Sequence, residues 1–193
     1  ALDLNPDLPG GYVNLASLLA QSGQMDSAES ALQTALKIDP YDALAYDISG
    51  RIAVSQAKLP EALYNFKKAA RLRPSYAPYL YNYALMLIRS GELEEAQVQA
   101  QATVHADPNF AEGHELLGGL LAKKQQLEQA VAEYQQAVTL NPDFSRANFD
   151  LGLLLAAKGD TAGAAAHLRK AAAGNDPDIA RQAARALQRM GTQ

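Results

Sequence analysis

The chain has 193 residues, 48% of them hydrophobic and 20% charged, and its formal net charge is −4 at pH 7. This composition is typical of a folded protein and excludes the low-hydrophobicity, high-charge class that stays disordered. The small acidic excess supplies no basic field for a phosphate backbone, so we expect no nucleic-acid partner. Cysteine is absent, which excludes disulfides, zinc–thiolate sites and cysteine nucleophiles.

No segment of the sequence is predicted to cross a membrane. The longest apolar runs, such as residues 151–157, are far shorter than the roughly 20 residues that a membrane-spanning helix needs. We therefore expect no membrane insertion. The composition leaves open whether the protein is cytoplasmic or exported.

Three kinds of position recur along the chain at a constant interval of 34 residues. Proline stands at Pro6, Pro40, Pro74, Pro108 and Pro142. Alanine keeps the same interval at Ala28, Ala62, Ala96, Ala130 and Ala164. A second small residue recurs at Ala16, Gly50, Ala84, Gly118 and Gly152. A fixed period of this length predicts a repeat architecture, and small residues let neighbouring helices approach closely.

With these features the sequence resembles the tetratricopeptide-repeat (TPR) family over nearly its whole length. The resemblance implies an all-α fold, a right-handed superhelical solenoid of antiparallel helix hairpins. We expect a single domain over residues 1–193. In chain order its predicted parts are the end of a preceding repeat helix (1–6), five repeats (7–40, 41–74, 75–108, 109–142 and 143–176) and a capping helix (177–193).

The turn between the two helices of a repeat has two forms in this sequence. Glycine stands where the first helix of repeats one, three and five should end, at Gly23, Gly91 and Gly159. Glycine tolerates the left-handed backbone that commonly ends a helix. Repeats two and four carry Ala57 and Gln125 at the same position, which costs some turn stability without breaking the period.

The last helix is predicted to shield the fifth repeat. Asp176 is a capping residue before Pro177, which suits the first turn of a helix. The helix then presents an apolar stripe made of Ile179, Ala183, Leu187 and Met190. Its polar outer face closes the C-terminal end, whereas the N-terminal end shows no cap and is a candidate surface for self-association.

No arrangement of residues indicates catalysis. The three histidines, His105, His114 and His167, lie at unrelated positions of the repeat, and a metal site made by His105 and His114 lacks a third ligand. No nucleophile, zinc-protease, phosphate-loop or dinucleotide motif occurs. We therefore expect no enzyme activity, no catalytic residue, no metal site and no cofactor, and we predict packing or surface roles for the histidines.

In the TPR family the first helices of the repeats line the concave side of the superhelix. The resemblance therefore implies that exposed residues of these helices face a groove that binds a partner. The candidate partner-binding residues are Asn14, Asp47, Arg51, Tyr81, Asn82, Leu85, Arg89, Glu115, Phe149, Asp150 and Leu153. We also assign Val13 to this groove and Leu15 to the packing between helices.

One groove position carries a broken series of polar residues. Asn14 and Asn82 occupy it in repeats one and three, and Asp150 occupies it in repeat five, with Ile48 and Leu116 between them. An asparagine side chain can both donate to and accept from an extended peptide backbone. The position therefore favours a groove that binds a peptide without strong sequence selection.

These features predict a scaffold for protein–protein interaction that binds an extended or helical segment of another protein or peptide. The predicted apolar anchors are Tyr81, Leu85, Phe149 and Leu153, with Asn82 and Arg51 orienting the segment. Two alternatives stay open. The chain is a structural element that stacks on another copy or on earlier repeats, or it is the substrate-recruiting arm of a larger enzyme.

Overall fold

The computed structural model describes residues 9–191, and this part of the chain contains eleven α-helices and no strand. The helices are α1 (Pro9–Gln21), α2 (Met25–Ile38), α3 (Ala43–Ser55), α4 (Leu59–Leu72), α5 (Ala77–Ser90), α6 (Leu93–Ala106), α7 (Ala111–Lys123), α8 (Leu127–Leu140), α9 (Ser145–Ala157), α10 (Thr161–Ala172) and α11 (Pro177–Gly191). The predicted all-α fold is confirmed. The helix end predicted at residues 1–6 lies outside the described residues.

The described chain belongs to two compact units, Ala1–Gln99 and Ala100–Gln193, and the boundary falls within α6. In the first unit, α1 pairs with α2 and α3 pairs with α4. In the second unit, α7 pairs with α8, α9 pairs with α10, and α11 packs on α9 and α10. Each pair is the helical hairpin that the family resemblance implies.

The small residues bring the two helices of each hairpin into close contact. The five recurring alanines of the second helices are fully buried. A Cβ atom added to Gly50 would lie 2.9 Å from the ring of Phe66, and one added to Gly118 would lie 2.9 Å from the ring of Tyr134. Because real Cβ contacts are longer than this, only glycine fits where an aromatic ring faces the first helix.

The same left-handed turn ends the first helix in all five repeats. The residue in the left-handed conformation has a φ of 79° at Gly23, 81° at Gly91 and 86° at Gly159. Ala57 and Gln125 adopt the same region with φ of 58° and 63°. These two side chains bear the steric cost of a left-handed backbone that glycine avoids, as the sequence predicts.

Aspartate side chains begin three of the helices. Asp42 accepts hydrogen bonds from the backbone N–H groups of Leu44 and Ala45, at 2.9 and 3.0 Å. Asp176 accepts from the N–H groups of Asp178 and Ile179 at 2.9 and 3.0 Å, so the predicted cap of α11 is confirmed. Asp160 does the same for α10. Each cap satisfies N–H groups that the helix itself leaves unpaired.

The last helix covers the fifth repeat as predicted. Ile179 and Ala183 of α11 are buried in one apolar cluster with residues of α9 and α10. Leu187 and Met190 pack against the same cluster. Within residues 9–191, no helix is both long enough and apolar enough to span a bilayer.

Candidate partner-binding faces

In the first unit, α3 and α5 bring three predicted groove residues together. Asn82 Nδ2 donates to Asp47 Oδ1 at 2.8 Å, and Arg51 Nε lies 3.1 Å from Asp47 Oδ2. Burial raises the pKa of the Asp47 carboxyl, and the hydrogen bond from Asn82 and the charge of Arg51 offset part of that rise. The carboxylate therefore already has its partners inside the protein, and only Arg51 presents much of its surface to solvent.

A pocket of about 230 Å³ opens between α1 and α3 beside this network. Its lining residues are Ser17, Ala20, Gln21, Met25, Ile48, Arg51, Ile52 and Ser55. Isoleucine, methionine and alanine side chains form most of the wall, and polar groups of serine, glutamine and arginine surround them. The pocket is smaller than the roughly 300 Å³ at which small-molecule sites begin, so its volume suits one side chain.

The remaining groove residues of the first unit follow one another along α5. Tyr81 and Leu85 are half-buried, and Arg89 is exposed at the end of the helix. Their spacing of four residues places them in one row. Arg89 also borders a second, mainly apolar pocket of about 260 Å³ with Val54, Ala57 and Leu59.

In the second unit, two predicted groove carboxylates lie near each other on α7 and α9. Burial, followed by the charge of Asp150, raises the pKa of Glu115 to about 7. Burial raises the pKa of Asp150 to about 6, against the lowering effect of Arg146. Neither carboxylate forms an ion pair or a side-chain hydrogen bond among the described residues. Burial is thus the main reason that both carboxyl groups are harder to ionise than usual.

Phe149 is not a groove residue, in contrast to the prediction. Only 8% of its surface is exposed, and it belongs to the apolar cluster that α11 covers. Val13 is likewise buried in the core of the first unit. The position that these two residues share along the repeat also holds Asp47, which is buried as well. Tyr81 and Glu115 hold the same position in repeats three and four but are half-buried, so the exposure of this position differs between repeats.

Three other assignments were made for exposed or packed residues of the first helices. Asn14 and Leu153 are exposed, in agreement with the prediction. Leu15 was assigned to packing, but it is exposed on α1, so that assignment is wrong. The counterparts of Leu15 in later repeats, Tyr83, Leu117 and Leu151, are buried, so the assignment fails only at α1, the first described helix.

Two of the three histidines, His114 and His167, form hydrogen bonds within the fold. His114 bridges Glu133 Oε2 at 2.6 Å and the carbonyl oxygen of Pro108 at 3.0 Å. Asn148 occupies the same position in the next repeat, donates to the carbonyl oxygen of Pro142 at 2.9 Å and contacts His167 Nδ1 at 2.9 Å. No group of three or more metal-ligating side chains occurs among residues 9–191. The predicted packing role of His114 is confirmed.

Sequence analysis missed two residues beside the carboxylates of the second unit. Tyr134 belongs to α8, a second helix, and only the first helices were expected to face the groove. Arg146 lies in the first turn of α9 and was not assigned. A signal for Tyr134 was present in the adjacent glycines Gly118 and Gly119, because a glycine pair within a helix indicates that a large side chain approaches its backbone.

Comparison with known proteins identifies the repeats. Models of the tetratricopeptide repeat match residues 9–42 and 53–120, and a TPR repeat model matches residues 118–159. Small glutamine-rich tetratricopeptide repeat-containing protein 2 of Mycosarcoma maydis is 36% identical over 75 residues, 39% of this chain and 21% of that protein. Protein O-mannosyl-transferase TMTC3 of Homo sapiens is 29% identical over 127 residues, 62% of this chain and 14% of that protein. The chain thus spans about a fifth or less of the length of these curated relatives.

A solved structure shows the same fold. YrrB, described as a TPR protein with an unusual peptide-binding site, superposes with a TM-score of 0.75. The alignment covers 95% of this chain and 95% of that chain at 24% sequence identity. At this identity the likeness concerns the fold alone.

Proposed function

Since this chain belongs to the tetratricopeptide-repeat family, whose members typically mediate protein–protein interaction, we propose that it is a scaffold that binds a segment of a partner protein along the first helices of its repeats. Repeat scaffolds of this family are typically non-catalytic. In the first unit the proposed binding face comprises the pocket between α1 and α3 and the row of Tyr81, Leu85 and Arg89 on α5.

The pocket between α1 and α3 carries this proposal. It combines a volume suited to one side chain, an apolar wall and a polar border, which is the usual design of a site that anchors one residue of a peptide. Arg51 stands at the border, and its terminal nitrogens can donate to carbonyl oxygens of an extended segment. Asp47 and Asn82 hold Arg51 in place, so the donor is oriented before the partner arrives.

We expect that filling the pocket weakens partner binding. Ser17→Phe places a ring in the pocket, whereas Ser30→Phe makes the same change on the exposed side of α2. Because one buried apolar side chain contributes about 1.5 to 3 kcal/mol, Ser17→Phe should weaken binding by about tenfold to a hundredfold. Ser30→Phe should bind as the parent does.

The measurement is affinity capture from an extract of the source organism with all three forms. The retained protein is identified by mass spectrometry and purified, and its dissociation constants are then measured by calorimetry. Equal affinity for the parent and Ser17→Phe would show that the pocket is not the binding site. Equal loss with Ser30→Phe would show that the effect is not specific to the pocket.

We also propose a second function, self-association of two copies through α1. Leu18 is 64% exposed on α1, whereas Ile52, at the same position of the next repeat, is 3% exposed in the core. The same apolar position is thus buried in the second repeat but exposed in the first described hairpin. A second copy that presents the same helix gives a self-complementary contact.

Light scattering at increasing protein concentration tests this association. We expect the mass to rise from 20.6 kDa towards twice that value for the parent, and to stay constant for Leu18→Lys. Val98→Lys is the matched control, because Val98 is a similarly exposed apolar residue on α6. A constant mass of the parent at every concentration would contradict self-association.

A further inference from the structure

The network of Asp47, Arg51 and Asn82 in the first unit has a counterpart in the second unit, two repeats further along the chain. Glu115 occupies the repeat position of Asp47, and Asp150 occupies that of Asn82. The helices that carry them, α7 and α9, are in contact. A carboxylate and an amide in the first unit thus become two carboxylates in the second.

The second unit has no residue that corresponds to the arginine of this network. In the first unit, Arg51 follows Asp47 by four residues and lies 3.1 Å from its carboxylate. The residue four positions after Glu115 is Gly119. A Cβ atom added to Gly119 would meet only the Tyr134 hydroxyl, at 3.5 Å. The helix therefore carries no side chain at the position of the arginine, and we call this position, which the Tyr134 hydroxyl borders, the Gly119 gap.

The hydroxyl of a buried tyrosine points to the same gap. Tyr134 is 4% exposed, and its ring is fixed against Gly118. Its hydroxyl forms no hydrogen bond with any residue of the described chain. Burial and the charges of Asp150 and Glu115 raise the pKa of this phenol, which places its hydroxyl near both carboxylates. The hydroxyl oxygen is not one of the fully enclosed side-chain atoms that lack a partner, so it reaches solvent and is available to a ligand at the gap.

Arg146 does not fill the gap. It is exposed in the first turn of α9 and forms no ion pair within residues 9–191. Its charge lowers the pKa values of Glu115 and Asp150, while burial still holds both above their ordinary values. Glu112, the other charged group that acts on Glu115, raises its pKa further. Arg146 thus compensates the two carboxylates only in part and without an ion pair.

We propose that the Gly119 gap binds the cationic side chain of a partner segment, with arginine preferred. The guanidinium would lie where Arg51 lies in the first unit. It would donate hydrogen bonds to the carboxylates of Glu115 and Asp150 and to the hydroxyl oxygen of Tyr134. Arginine suits the site because its planar group offers five donors and can pair with two acceptors at once. The inference rests on the proposed function for the existence of a partner segment, but the site belongs to the second unit and is tested separately.

The binding of the cation should depend on pH. Glu115 and Asp150, with pKa values of about 7 and about 6, are largely protonated and neutral at pH 5 and ionised at pH 8. A cation binds only the ionised form, so affinity rises as the pH passes from 5 to 8. The charged groups around the pair are Arg146, Glu112 and Tyr134, and the arginine and the phenol keep their protons throughout this range.

The experiment is a nuclear magnetic resonance titration of the full chain with N-acetylarginine methylamide. N-acetylcitrulline methylamide, which has the same shape without the charge, is the control probe. We expect the arginine probe to shift the backbone amides of Gly118, Gly119 and Tyr134 and to bind about tenfold more tightly than citrulline, the usual gain for a charge-assisted hydrogen bond. The affinity should be at least about tenfold higher at pH 8 than at pH 5.

Three variants test the assignment. Gly119→Arg supplies the missing cation from the chain itself and should abolish binding of the probe. Glu115→Gln removes one charge and should weaken binding about tenfold, whereas Glu128→Gln makes the same change at an exposed carboxylate of α8 and should leave it unchanged. Retained chemical-shift dispersion confirms that each variant is folded.

Equal binding of the arginine and citrulline probes, or a Glu115→Gln variant that binds as the parent does, would overturn this inference. Either result leaves the proposed function standing, because that function is tested at the pocket of the first unit with Ser17→Phe. Conversely, tight arginine binding together with an unchanged partner affinity of Ser17→Phe would exclude the pocket as the binding site and support the gap.

Discussion

Replacing Phe149 with alanine is expected to lower the free energy of unfolding by about 3 to 5 kcal/mol, the usual cost of removing a buried phenylalanine ring. The ring packs with Leu168, Ala171, Ile179 and Ala183, so the cavity would weaken the hold of α11 on the fifth repeat. Urea denaturation followed by circular dichroism measures the change. Any loss of partner binding in this variant should accompany the loss of stability.

Leu153→Ala is the matched control for this prediction. Leu153 lies on the same helix, α9, but is 42% exposed, so its truncation should cost about 1 kcal/mol or less. If Phe149→Ala proved as stable as Leu153→Ala and yet lost its partner, Phe149 would be a direct contact after all. The two variants thus separate a core residue from a binding residue on one helix.

Two adjacent glycines of α7 are expected to respond to alanine with opposite signs. A Cβ atom at Gly118 would lie 2.9 to 3.2 Å from ring atoms of Tyr134, and this overpacking should cost about 2 kcal/mol of stability. At Gly119 the nearest atom is the Tyr134 hydroxyl at 3.5 Å, an ordinary contact. There the gain of about 1 kcal/mol in helix propensity should remain. Urea denaturation of the two variants measures the difference directly.

A double variant tests the cause of the Gly118 effect. Gly118→Ala combined with Tyr134→Leu reproduces the pair found at the same positions of the first repeat, Ala16 and Leu32, which share one core cluster. Since the clash disappears with the ring, the double variant should be more stable than the sum of the two single changes predicts, by at least about 0.5 kcal/mol. Simple additivity would show that the ring is not the cause.

The fold could be predicted from the sequence because its determinants are local and repeated. A proline, a small residue on each helix and a turn residue recur in every repeat, and each acts on neighbours within its own hairpin. The left-handed turn could be predicted even at Ala57 and Gln125, where the residue type argues against it, because the other three repeats establish the register. Repetition thus compensated for a weak local signal.

The candidate faces were predicted less well because they depend on contacts between distant parts of the chain. The position of Phe149 in its helix resembles that of an exposed groove residue, and only the packing of α11 makes it buried. Asp47 was predicted to await a partner, but Asn82, 35 residues later, already supplies one. Neither fact follows from periodicity, since periodicity describes a repeat and not its neighbours.

The proposed cation site of the second unit could be found only by comparing the repeats with one another. Glu115 and Asp150 were predicted as groove residues. Tyr134 was not, because it lies on a second helix and only first helices were expected to face the groove. Its ring must approach α7 closely before its hydroxyl can reach the groove, and Gly118 and Gly119 permit that approach. The proposed site thus depends on the absence of two side chains as much as on the presence of three.

The turns of the repeats divide them into two alternating kinds, with glycine in the first, third and fifth and another residue in the second and fourth. Two other positions follow the same alternation, pairing Asp47 with Glu115 and Phe66 with Tyr134. The backbone therefore repeats with every hairpin, whereas the residue types at these positions repeat with every second hairpin. Removing one hairpin would keep the helices in register but join two hairpins of the same kind, whereas removing two consecutive hairpins would preserve the alternation.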